Sequence, residues 1–111
     1  MPQIIVEYSA RLEETFDRRA ATLIDSTLGS FKTRFHRLDE VVIGAGAATD
    51  VMVHADLAIL PGRSPETKRR LGQTALDLLV CHLGEAPGLT TQATVEVREL
   101  QGAGYHRRVL G

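Results

Sequence analysis

Apolar and polar residues change their period along the chain, and each change marks an element. Gln3-Ile4-Ile5-Val6-Glu7-Tyr8 is rich in β-branched residues and predicts a strand. From Leu12 the period becomes helical: Leu12, Phe16, Ala20, Leu23, Ile24 and Leu28 share one face. Ser9 stands where an N-cap is expected, Glu13 and Glu14 suit a positive first turn, and Gly29 suits a stop. A second strand is predicted over 34–43, and Gly44-Ala45-Gly46-Ala47-Ala48 then turns the chain. A third strand over 50–60 puts Val51, Val53, Ala55, Leu57 and Ile59 on one face before Pro61-Gly62 ends it. Ser64-Pro65 sets an N-cap before a proline at the first helical position. Leu71, Ala75, Leu78, Leu79 and Leu83 form the stripe of that second helix, and Gly84 closes it. After Pro87-Gly88, a fourth strand over 91–100 carries Val95 and Val97 on its apolar face. The tail from Gly102 to Gly111 reads as irregular.

The order is β-α-β twice, and a shift of 55 residues overlays its parts. Ser9 falls on Ser64, Phe16 on Leu71, Ala20 on Ala75, Leu28 on Leu83 and Gly29 on Gly84. Two amphipathic helices always overlay some apolar positions. The shared Ser caps and Gly stops at one offset argue further, for duplication, with pseudo-repeats of about 2–55 and 56–111 in one domain. The expected fold is α/β (α+β): a four-stranded mixed sheet with two helices on one face. Its other face is left uncovered with several apolar residues, which calls for oligomerisation.

Composition narrows the function classes. A length of 111 residues argues for one domain, and 43% apolar with 24% charged residues is ordinary for a globular protein. With no Trp and five aromatic residues, the core has to be aliphatic. A net charge of −1 gives no electrostatic case for nucleic acid or an anionic membrane. Cys81 is the single cysteine, so no internal disulfide forms. The start has no signal-peptide character, no run is long enough to span a membrane, and a cytoplasmic location is expected.

Pro2 is the first candidate for chemistry. Loss of Met1 would free a secondary amine. An ordinary α-amino group has a pKa of about 7.7–8.0, and an apolar site or nearby cations would lower it. A neutral amine near pH 7 acts as a general base and can return the proton. Proline at the second position usually has no such role. Here, though, the predicted strand begins beside it and would fix the terminus. A retained Met1 would leave the Pro2 nitrogen an amide without basicity.

Arg63 is the second candidate, in Pro61-Gly62-Arg63-Ser64-Pro65 at the start of a helix, where backbone N–H groups favour an anion. Its planar fork matches a carboxylate. Lys68, Arg69 and Arg70 follow in the first turns, where cations oppose the helix dipole. Either an anionic ligand or a solvated basic face partnered by Glu66 and Asp77 would account for them. In Lys32-Thr33-Arg34-Phe35-His36-Arg37, alternation sends Lys32, Arg34 and His36 to one face, which reads as a second anion subsite, a polar outer surface or a subunit contact. The four histidines show no metal-ligand spacing, and Cys81 reads as a buried small hydrophobe. Gly44-Ala45-Gly46 joins two strands and is no dinucleotide fingerprint.

Met1-Pro2-Gln3-Ile4-Ile5-Val6-Glu7-Tyr8-Ser9, the segment Val53-His54-Ala55-Asp56-Leu57-Ala58-Ile59-Leu60-Pro61-Gly62-Arg63-Ser64, and Val95-Glu96-Val97-Arg98-Glu99-Leu100 resemble the 5-carboxymethyl-2-hydroxymuconate isomerase family of the tautomerase superfamily. The resemblance covers nearly the whole chain. It implies a homotrimer with sites near subunit boundaries, no metal and no organic cofactor. It implies proton migration between carbons of an unsaturated 2-oxo or 2-hydroxy carboxylic acid in aromatic-compound breakdown. By it Pro2 is the base, Arg63 binds a carboxylate and stabilises the dienolate, and the substrate-binding second cation falls at Lys32 or Arg34. Where the resemblance leads to arginine the chain carries Lys32, which keeps the charge and loses the bidentate fork. Two other readings share the fold: a non-catalytic trimer binding an anion through Arg63 and Lys32, and a hydratase or dehalogenase acting on an unsaturated acid.

Overall fold

The computed structural model describes residues 2–17 and 31–111. Four strands are present: β1 (Gln3–Ser9), β2 (Lys32–Leu38), β3 (Asp50–Ile59) and β4 (Thr90–Glu99). They form one sheet in the order β2-β1-β3-β4. β1 runs parallel to β2 and antiparallel to β3, and β4 runs parallel to β3. The first strand of the chain is therefore interior, with a neighbour on each side.

Alternation sorts the sheet into two faces. Ile4, Val6 and Tyr8 of β1 and Val51, Val53, Ala55, Leu57 and Ile59 of β3 are buried on one of them. Helix α1 (Pro65–His82) packs there through Ala75 and Leu79, with Leu83 just beyond its end. Leu71 and Leu78 pack partly buried against the same cluster, so the whole predicted stripe faces the core. Burying a side chain such as Leu79 contributes about 1.5–3 kcal/mol relative to leaving it in water. Phe16 links the aromatics edge to face, 5.4 Å from Tyr8 and 6.2 Å from Phe35.

The boundaries of β3, α1 and β4 fall within about two residues of those read from the pattern, as boundaries of strongly patterned elements do. β2 is shorter than predicted. It ends at Leu38, opposite Ser9, because β1 stops there and β2 has no other strand to pair with. Val41, Val42 and Ile43 consequently lie in the connection to β3. The boundary drawn between repeats at residue 55 falls inside β3.

Among the described residues α1 is the one α-helix, so the two-helix expectation is not met there. The predicted first helix lies mainly within residues 18–30, outside the described residues, with Ala20, Leu23, Ile24, Leu28 and Gly29. Its described beginning is a 3-10 turn, Ala10–Leu12, and Ser9 makes no side-chain cap to it. The Ser9 hydroxyl instead accepts a hydrogen bond from the backbone N–H of Met52 at 2.9 Å, tying β1 to β3. Leu12 and Phe16 are buried as the stripe predicts.

The outer face of the sheet carries polar pairs beside its apolar residues. Arg98 donates to Asp56 at 2.9 and 3.0 Å, His54 pairs with Thr94 at 2.7 Å, and Arg34 donates to Gln3 at 2.8 Å. Ile5, Met52 and the nearly buried Ala58 form a narrow strip between these polar pairs. Exposed cross-strand polar pairs thus flank the apolar strip on this face. Cys81 is corrected. It is exposed, two residues from buried Leu79 and so on the opposite side of α1.

Gly84 performs the stop that the sequence assigns it. It has φ +67°, and a Cβ there would come within 2.6 Å of the Thr15 carbonyl oxygen. Gly84→Ala therefore meets both a left-handed backbone and a rigid backbone atom. It is expected to lower stability by about 1–3 kcal/mol, read as a fall in thermal midpoint by circular dichroism.

Candidate active site

Pro2 is held from both sides. Its carbonyl accepts from the Lys32 N–H at 3.0 Å, and the next residue, Gln3, pairs with Lys32 on β2 and Ala58 on β3. The end of a central strand is thus fixed at the mouth of a pocket of about 190 Å³. Its walls are Phe31, Ile59, Leu60 and Leu71, and its polar groups come from Pro2, Arg63 and Thr67.

Ser64 explains why Arg63 and Thr67 stand together. Its hydroxyl accepts from the Thr67 N–H at 3.1 Å and donates to the Thr67 Oγ1 at 3.0 Å, capping α1. The cap draws the first turn back toward the loop, so that Arg63 before it and Thr67 within it border one space. Leu71 lies one turn further along the same helix face.

The cations after Arg63 are already partnered. Arg69 lies 2.6 Å and Arg70 4.0 Å from Glu66, and Lys68 lies 3.6 Å from Glu99. Asp77 accepts from Gln73 at 2.9 Å. These residues form the solvated basic face, with Glu66 as its main partner and Asp77 serving Gln73 instead. A wider groove of about 430 Å³ between α1 and β4 is bordered by Lys68 and Arg69. Its charges are thus largely spent within the chain. Arg63 has no hydrogen-bond or ion-pair partner among the described residues, and its fork is open to a ligand.

Lys32 and Arg34 are not in this pocket. Residues opposite one another across a strand pair share a face. Lys32 is opposite Gln3 and Arg34 opposite Ile5, whereas the core-facing positions of β1 are Ile4, Val6 and Tyr8. Alternation did place Lys32, Arg34 and His36 together, but on the outer face, where Arg34 already donates to Gln3. Phe31, Ile59, Leu60, Thr67 and Leu71 are the lining residues that the sequence reading did not single out as a site. For Thr67 and Leu71 a signal existed: the Ser64 cap and the four-residue spacing behind it.

The sequence profile of the 5-carboxymethyl-2-hydroxymuconate isomerase family matches residues 2–107. The chain belongs to this family. That places it in the tautomerase superfamily and gives it an isomerase- or tautomerase-type function. Solved structures agree on the fold. A 5-carboxymethyl-2-hydroxymuconate isomerase from Deinococcus radiodurans R1 superposes with a TM-score of 0.85 at 24% identity, over 96% of this chain and 88% of its own. A 5-carboxymethyl-2-hydroxymuconate delta-isomerase gives 0.77 at 20% identity, over 100% and 89%. N1, a member of the cis-3-chloroacrylic acid dehalogenase family, gives 0.66 at 20% identity, over 95% and 79%. Comparison with curated proteins finds no significant match. Among the described residues no cluster of His, Cys, Asp and Glu could hold a metal, and no helix is long and apolar enough to cross a membrane.

Proposed function

We propose that the protein moves a proton between carbons of an unsaturated 2-oxo or 2-hydroxy carboxylic acid, with the free Pro2 nitrogen as base and Arg63 as the cation. The observation that carries this reading is that Pro2 and an unpartnered Arg63 line one largely apolar pocket.

The chemistry follows from that pairing. A conjugated carbonyl acidifies the C–H beside it. The Pro2 nitrogen takes that proton, and the electron pair of the broken C–H bond spreads into a dienolate. The prolinium then returns the proton to another carbon of the conjugated system, and the double bond shifts. Apolar walls favour the neutral amine before the reaction, because burial disfavours the ammonium. Arg63 holds the carboxylate and meets the developing negative charge, a contribution that is large when the cation is placed beforehand. One base that both removes and returns the proton requires no organic cofactor. The likeness to a fused 4-OT symmetric trimer (TM-score 0.56, 19% identity) supports a homotrimer.

The test is deuterium incorporation. Protein whose intact mass shows Met1 removed is incubated in heavy water with an unsaturated 2-oxo acid, followed by proton NMR. Deuterium is expected at the carbons that exchange the proton. Tight binding of the acid with no incorporation would favour a non-catalytic anion-binding protein instead.

A further inference from the structure

Register carries one row of side chains across the outer face in which Glu7 of β1 stands opposite His36 of β2 on one side and His54 of β3 on the other. Residues opposite one another have Cβ atoms about 4.5–5.5 Å apart, within reach of an ion pair. Glu7 is partly buried and, among the described residues, has no hydrogen-bond or ion-pair partner. His54 has one in the Thr94 hydroxyl, 2.7 Å from its Nδ1. A hydroxyl both donates and accepts, so the ring keeps that bond in either protonation state. The other charged groups on this face in register with β1 are Lys32 and Arg34 on β2, Asp56 on β3, and Glu96 and Arg98 on β4. Asp50 lies further along β3, beyond these rows. With neutral histidines the three cations Lys32, Arg34 and Arg98 balance the three carboxylates Glu7, Asp56 and Glu96. Phe16 and Phe31, which flank residues 18–30, are both buried in the core on the opposite face.

We infer that copies of the chain meet head to tail on this face, and that His36, Glu7 and His54 make the contact sensitive to pH. The charged groups of β2 on this face are all cations, and every carboxylate lies on β1, β3 or β4. Setting β2 of one copy against the acidic part of the next pairs opposite charges, whereas β2 against β2 repels. Head-to-tail contacts can close into a ring, in keeping with the homotrimer reading on which this inference rests. While the histidines are neutral, Glu7 faces the cationic edge of the next copy. Histidine takes up its proton between about pH 8 and pH 5. Protonated His36 and His54 then turn to Glu7 from both sides within their own chain. The balanced face gains two positive charges, and burying them in a contact is costly. Free chains therefore bind more protons than assembled ones, and association weakens as pH falls through that range.

Sedimentation velocity on the full chain tests it, at one chain concentration and one salt concentration, at about pH 8 and about pH 5.5. The apparent dissociation constant between copies is expected to rise by about tenfold or more on acidification, as protons are taken up on dissociation. Far-UV circular dichroism is expected to stay unchanged. The double variant His36→Gln, His54→Gln is expected to assemble alike at both pH values. Glu7→Gln is expected to assemble less tightly than wild type at the higher pH and to respond less to acid. Wild type that assembles equally at both overturns the inference and leaves the homotrimer standing. A chain that is monomeric at both overturns the two together. Acid dissociation undiminished in the double variant overturns the inference, whether or not the chain also unfolds. Proton transfer is reported separately, by deuterium incorporation, so failure here leaves the isomerase reading intact.

Discussion

Protein extended by one residue ahead of Pro2, or isolated with Met1 still attached, is expected to lose proton transfer by about 10²–10⁴-fold, the usual worth of a positioned general base. An amide nitrogen has no accessible lone pair to take a proton, whereas a secondary amine does. The change is chemically local. Pro2 is held through its carbonyl by Lys32, and Gln3 is paired on both sides, so the strand does not depend on the terminus being free. The measurement is deuterium incorporation on two preparations separated by intact mass, with affinity for the unsaturated 2-oxo acid as the control for an intact pocket. Equal incorporation by both would remove Pro2 from the mechanism.

Arg63→Ala is expected to lower kcat by about 10²–10³-fold, comparable to removing a preorganised donor from a developing anion. KM should rise too, because the same fork holds the carboxylate in the ground state. Arg63→Lys should recover part of the loss, since the charge remains while the planar fork does not. Structural damage is a weak alternative. Arg63 is exposed and makes no bond among the described residues, so unfolding midpoints of wild type and variants should agree within a degree or two. A normal kcat with raised KM would make Arg63 a binding residue only.

The parts of the molecule that the sequence reveals are those fixed by local rules. Ser64-Pro65 announces α1 because an N-cap and a φ-locked first residue are local requirements, and the cap bond is present. Val51 to Ile59 announces β3 because one face of the strand packs on the core under α1, which buries every second side chain. Pro2 and Arg63 could be nominated separately by their chemistry, but their shared pocket depends on β1 lying beside β3, a long-range fact.

What stayed hidden was decided by partners distant in sequence. Ser9 has every local mark of an N-cap, yet Met52, 43 residues away, claims its hydroxyl. Alternation groups Lys32 with Arg34 correctly but carries no sign of which face they take. The register opposite Gln3 supplies that sign. Cys81 was misread because cysteine is a buried type on average, while its angle from Leu79 around α1 turns it to solvent. The sequence predicts several apolar residues on the outer face, while the polar pairs that flank Ile5 and Met52 there depend on cross-strand register.

An interior strand that precedes both of its neighbours in sequence imposes an order of events. Neither edge of β1 can be bonded before its partner is translated, and the second partner is complete only when Ile59 has left the ribosome. The sheet therefore closes through pairings far apart in the chain, the kind of contact that slows folding.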